Sequence, residues 1–258
     1  EVQCESCHGP NSNGEVHGLS RPDAANAKAA RVSFSSDVCA PCHGEPLRHG
    51  RYQEWRESGH GDFETAIGEG FSGTPPTVRA DCAGCHTGQG FPVWLGQLQG
   101  GNPLRTLTAA SIAALNGAGV TRDTVQPITC VTCHTPHDAG KQPGLVGNVV
   151  KLRGGFQSGG ASDGSTPLLP AGFQANGVGR GALCITCHNS RNGGSGTTVG
   201  LHEDGDPIFN TFTSYAAPHE AAQGDVLMGR NAYFFGSGQI GQRSKHSLLA
   251  DACVTCHL

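Results

Sequence analysis

Twelve cysteines and 13 histidines are the residues of this 258-residue chain whose types and spacing could do chemistry. The cysteines fall as Cys4-Glu5-Ser6-Cys7-His8, Cys39-Ala40-Pro41-Cys42-His43, Cys82-Ala83-Gly84-Cys85-His86, Cys130-Val131-Thr132-Cys133-His134, Cys184-Ile185-Thr186-Cys187-His188 and Cys253-Val254-Thr255-Cys256-His257. Every cysteine lies in one of six copies of C-x-x-C-H, the attachment pattern of c-type haem. Two intervening residues let the segment turn, so that both thiols reach one porphyrin edge and add across its two vinyl groups. The histidine that follows is then held under the iron as proximal ligand. Zinc ribbons also use C-x-x-C pairs, but they do not demand a histidine directly after every second cysteine. At this histidine frequency, six hits in six would arise by chance roughly once in ten to the eighth. Six disulfides would leave the histidines unexplained.

Six histidines are thus expected as proximal ligands: His8, His43, His86, His134, His188 and His257. Seven remain, His17, His49, His60, His137, His202, His219 and His246, against six irons. Imidazole is a common second axial ligand, so the count suggests six bis-histidine haems with one histidine left over. His49 and His202 compete for the last place. His137 follows His134 by three residues, a reach of at most about 10 Å; ligation by both would pin two haems nearly in contact. Met228, the only methionine, lies in an apolar stretch and reads as packing. Glu203, Asp204 and Asp206 read as a solvated turn rather than a calcium site.

The chain resembles a multihaem cytochrome c, a family whose haems form the interior. The 258 residues give each motif 43, too few to wrap every porphyrin separately. The resemblance implies mostly irregular coil with short α-helices wrapped around a stacked chain of six haems and little β, in a single domain over 1–258. It also bears on the spare histidines. The C-H-x-x-H of Cys133 to His137 resembles a distal-ligand arrangement of such cytochromes. Trp55-Arg56-Glu57-Ser58-Gly59-His60 resembles a W-x-x-S-x-H distal segment of the nitrite-reductase and hydroxylamine-oxidoreductase lineage. His219 and His246 resemble distal ligands that precede a final C-x-x-C-H in large surface cytochromes. His17, on a loop containing Gly14, is similar in placement to a ligand donated between subunits. The haems are expected to run roughly in sequence order.

Composition fits that interior. Glycine is 40 and proline 15, hydrophobic residues are 36%, and the net charge is only −4. Something other than side chains is therefore expected to build much of the core. No run reaches the roughly 18 to 20 apolar residues that a membrane-spanning helix needs. Seventeen Lys+Arg against 21 Asp+Glu, with no basic run, exclude a basic nucleic-acid binder. The start Glu1-Val2-Gln3-Cys4 carries no leader pattern and reads as a mature, exported chain. The motifs begin at 4, 39, 82, 130, 184 and 253, at lengthening intervals, so this is no fixed-period solenoid.

The elements that must position the motifs are few. Thr108–Asn116 is the best helix, capped by Thr108 and ended by Asn116-Gly117. Arg51–Glu57 and Glu220–Met228 are weaker ones. Arg153–Gly181, rich in glycine, reads as an extended loop that a haem face could order. Trp55, Trp94 and the three tyrosines are expected as haem packing.

The function expected is electron transfer through closely packed bis-histidine c-type haems. The resemblance extends to extracellular cytochrome filaments of metal-reducing prokaryotes, which implies end-to-end polymers of this chain serving as an extracellular or cell-surface conduit. Its partners would be other copies of itself, redox proteins or extracellular acceptors. A soluble periplasmic shuttle is the alternative. A multihaem reductase of nitrite, hydroxylamine or a sulfur oxyanion is the enzymatic one; it would need one open iron, and no C-x-x-C-K marks it.

Overall fold

The computed structural model describes residues 34–45, 50–141, 148–156, 164–191, 198–201, 207–209, 221–230 and 241–257. Cys4, Cys7, His8, His17, His49, His202, His219 and the acidic turn at 203–206 lie outside them. Five of the six motifs are therefore on view.

Short helices joined by irregular chain dominate the described residues. In chain order they are α1 (Ala40–His43), α2 (Arg51–Glu57), α3 (Phe63–Gly70), α4 (Ala83–His86), α5 (Gly90–Gln99), α6 (Ala109–Gly117), α7 (Cys130–Cys133), α8 (Gly181–Cys187), α9 (Gln223–Met228) and α10 (Val254–His257). Strand is confined to three antiparallel pairs: β1 (Phe71–Ser72) with β2 (Thr77–Val78), β3 (His134–Lys141) with β4 (Asn148–Leu152), and β5 (Thr198–Leu201) with β6 (Pro207–Phe209). No helix is long and apolar enough to cross a membrane among the described residues. The expected coil with short helices and little β is what the chain adopts.

Local chemistry explains the helix starts. Asp62 accepts hydrogen bonds from the N–H groups of Glu64 and Thr65 and so caps α3. Thr108 Oγ1 accepts from Ser111 N at 3.1 Å and caps α6, as the sequence indicated. α2 has the expected bounds, and α9 covers Gln223–Met228 of the expected Glu220–Met228, after a turn at 221–222. α5 was not among the helices expected from the sequence. Pro92 falls in the first turn, where the N–H groups have no intrahelical partner to lose.

α5 also brings together a core of side chains. It buries Phe91, Trp94, Leu95 and Leu98, spaced as one helical face. These pack with Phe71, Leu115, Phe156, Leu169, Phe173, Val178 and Ile185. The chain thus has a side-chain core of its own, because its few large apolar residues are concentrated here. Each contributes about 1.5–3 kcal/mol on burial. Trp94 is among them rather than on a separate surface, and Met228 is buried packing, as expected. A Cβ on Gly84 would stand 2.9 Å from Trp94 Cγ, so glycine in the third motif lets the indole lie against it.

Residues 164–180 are irregular, as the glycine content indicated, yet Leu169, Ala175 and Val178 are wholly buried. This segment ends in a clamp. Asp251 Oδ1 accepts from Arg180 N at 2.9 Å, and its Oδ2 accepts from Arg180 Nε at 3.0 Å and Nη2 at 2.7 Å. The carboxylate side chain is only 8% exposed, so its charge is matched almost entirely by Arg180. Asp251→Ala would leave the guanidinium half-buried without that partner. We expect a loss of about 3 kcal/mol in chemical denaturation; a loss under about 1 kcal/mol would mean that the pair behaves like a surface ion pair.

Candidate functional site

Each described motif folds as the same single helical turn. The backbone N–H of the histidine donates to the carbonyl of the first cysteine: His43 to Cys39 at 2.9 Å, His86 to Cys82 at 3.0 Å, His188 to Cys184 at 2.9 Å and His257 to Cys253 at 3.1 Å. His134 donates likewise to Cys130 at the end of α7. Residues three apart on a helical turn share a face. Each turn therefore offers two thiols on one side and an imidazole at its exit. Two thiols and an imidazole on one turn form the donor set that a covalently held haem requires, so these residues fit that group.

The turns are fixed by polar contacts that the sequence did not disclose. Arg153 donates to the carbonyls of Thr132 at 3.0 Å, Val131 at 2.7 Å and His134 at 3.4 Å, closing the C-terminal end of α7. Thr129 and Thr132 form a capping box at its start. Buried Asp225 accepts from Ser190 N at 2.8 Å and from Ser190 Oγ at 2.7 Å, just past His188. Gln223 Oε1 lies 3.3 Å from His188 Nδ1, which leaves Nε2 as the ring's outward ligand atom.

Motifs meet in pairs. The thiol of Cys130 lies beside that of Cys39, Cys85 beside Cys187, and Cys184 beside Cys253. Backbone and side-chain bonds reinforce each meeting. Cys130 N donates to Ser36 Oγ at 3.0 Å, Arg191 Nη1 to Asp81 O at 3.2 Å, and the Arg180–Asp251 clamp joins the last pair. Numbering the motifs along the chain, the second meets the fourth, the third meets the fifth, and the fifth meets the sixth. Two of these three meetings skip a motif. The third motif also meets the fourth: Gly88 N, just past His86, donates to Gln126 O at 2.8 Å, and Thr132 Oγ1 donates to Gly88 O at 3.5 Å.

The cysteines are all free thiols in the described residues, and no three His, Cys, Asp or Glu side chains converge there as a metal cluster. Burial pushes the Cys82 thiol up to about 12 and the Cys133 thiol up to about 11. Cys130, beside Cys39, is held down at about 6, and Cys253, beside Cys184, likewise at about 6. Exposure varies from motif to motif. Cys42 with His43, and Cys256 with His257, are exposed, whereas Cys82 is buried.

The expected distal histidines divide. His60 sits in the 3-10 turn Gly59–Gly61, and the W-x-x-S-x-H segment has a mechanical explanation. Trp55 Nε1 donates to Ile128 O at 2.6 Å, tying α2 to the chain before the fourth motif. Ser58 Oγ donates to Trp55 O at 2.7 Å and accepts from His60 N at 3.2 Å, capping the turn that carries the imidazole. The His60 ring centre lies 6.0 Å from that of His188. His137 is exposed in β3, where the register slips between Thr135 and Ala139 because Pro136 has no N–H for the ladder. His246 is exposed in the 3-10 turn Lys245–Leu248, ahead of the sixth motif.

No family profile, curated protein or solved structure matches the chain.

Burial lowers the affinity of His60 for a proton, and the nearby His188 lowers it further. His60 keeps an exposed surface, but protein crowds its ring. Burial and the Arg191 charge do the same to His86. Both groups hold less proton folded than unfolded. Their stabilising contribution is therefore complete above the ordinary value of 6.5 and is lost as pH falls below it. In the haem-free polypeptide, where both imidazoles can titrate, the denaturation midpoint is expected to fall between about pH 7 and about pH 5, and His60→Gln with His86→Gln should flatten that slope. An unchanged slope in the double variant would assign it to other groups.

Proposed function

We propose that this chain is a hexahaem c-type cytochrome that transfers electrons. Its attachment residues are the pairs Cys4/Cys7, Cys39/Cys42, Cys82/Cys85, Cys130/Cys133, Cys184/Cys187 and Cys253/Cys256, and its proximal ligands are His8, His43, His86, His134, His188 and His257. The single observation that carries the reading is the recurrence of C-x-x-C-H, with all five described copies on one hydrogen-bonded turn. Haem iron supplies one-electron chemistry, at a potential tuned by its axial ligands, their hydrogen bonds and burial.

The chain's own part is placement. The Cys–His turns present thiols and imidazole together, Arg153, Asp225 and the Arg180–Asp251 clamp hold those turns still, and the cross-motif thiol contacts bring neighbouring motifs close. Rigid spacing of this kind suits passage of electrons from one centre to the next. The exposed second and sixth motifs are the accessible points for a partner, and the buried third lies inside.

Disulfides have one observation in their favour, the three thiol pairs. Those pairs account for six of the ten described cysteines, leave Cys42, Cys82, Cys133 and Cys256 outside, and give the histidines no task.

Electron transfer without substrate chemistry requires six irons closed on both sides. The purified native protein should show only low-spin haem in magnetic resonance and bind neither carbon monoxide nor nitrite. A stoichiometric high-spin haem that takes up either would transfer the protein to the reductase class. The end-to-end conduit implied by the resemblance is tested by electron microscopy of the same preparation. Filaments are expected, whereas isolated particles of monomer mass at micromolar concentration would leave a soluble shuttle.

A further inference from the structure

We propose that His60 is the second axial ligand of the iron held at Cys184, Cys187 and His188; the assignment rests on the hexahaem reading above and names one iron for one histidine. The two residues are far apart in sequence, and the chain brings their rings to a centre-to-centre distance of 6.0 Å, with planes inclined at 68°. A metal–imidazole bond is about 2 Å, and the ring centre lies about 1 Å beyond the ligating nitrogen, so two imidazoles on opposite sides of one metal ion have centres about 6 Å apart. The observed spacing matches that span. The inclination is no obstacle, since two axial rings can rotate about their shared axis.

Edge-to-face packing of two rings also falls in this distance range, so the surroundings decide. His188 is fixed at its ring and its backbone, and His60 through its backbone. His188 has Nδ1 against Gln223 Oε1 at 3.3 Å, and its carbonyl accepts from Gly224 N at 2.8 Å. A Cβ on Gly224 would stand 2.8 Å from that carbonyl, so the close approach needs glycine. His60 is held through Ser58 and Trp55 to Ile128. Two rings that merely pack would gain nothing from such separate scaffolds. Two ligands to one iron need both, because each must keep a nitrogen on the common axis.

The test counts high-spin haems in the full chain and in a variant lacking one attachment site. His60→Ala in the full chain should convert one of the six haems from low to high spin. In a chain carrying Cys184→Ala and Cys187→Ala, with five haems, the same His60→Ala should convert none. A new high-spin haem in the five-haem background would place His60 on another iron and overturn the proposal, as would six low-spin haems in the full-length His60→Ala protein. A protein with no covalent haem would overturn the hexahaem reading itself and the assignment with it. Should the five-haem chain fail to accumulate, a crystal structure of the haem-loaded protein decides: His60 Nε2 bonded to the iron above His188 supports the assignment, and any other ligand there overturns it.

Discussion

One hydrogen bond sets the geometry on which everything else depends: the histidine N–H of each C-x-x-C-H donating to the carbonyl of its first cysteine. It recurs in the second to sixth motifs, although their flanking sequences share little. Once that bond forms, the two thiols lie on one side of a turn and the imidazole leaves at its end. The variable residues inside the motif then answer to local packing. Gly84 makes room for Trp94, Thr132 joins a capping box, and Pro41 sits in a first turn where it costs no hydrogen bond.

A second level of structure joins turn to turn. Short helices of this size have little stability alone, and the bonds that hold them run between distant segments: Ser36 to Cys130, Trp55 to Ile128, Arg191 to Asp81, Arg180 to Asp251. Each joins the approach to one motif with the approach to, or exit from, another. The side-chain core around α5 braces the third motif, while the fifth touches both the third and the sixth. The fifth motif thus stands where several meet.

The motifs themselves were fully legible in the sequence, since cysteine and histidine spacing is a local property. So were α2 and α6, the latter because a capping threonine and an alanine-rich run act within a few residues. α5 was not read from the sequence, although Gly90 and Pro92 fall in its first turn, where neither costs an intrahelical hydrogen bond. The irregular nature of residues 164–180 could be read from their glycines, but the burial of Leu169 and Val178 could not, because it depends on what packs over them. The W-x-x-S-x-H segment was recognised only as a resemblance, and its logic of an anchoring indole, a capping hydroxyl and a presented imidazole needed the contact with Ile128. The pairing of motifs was out of reach for the same reason, since Arg191 and Asp81 carry no mark of each other along the chain.

The proposed function stands on covalent haem at all six C-x-x-C-H motifs. The most direct measurement is the intact mass of the denatured chain purified from a host able to mature c-type cytochromes. The account predicts the polypeptide mass plus six haems, with every cysteine resistant to thiol alkylation. A mass equal to the polypeptide alone, or to the polypeptide less the hydrogens of paired cysteines, would contradict it.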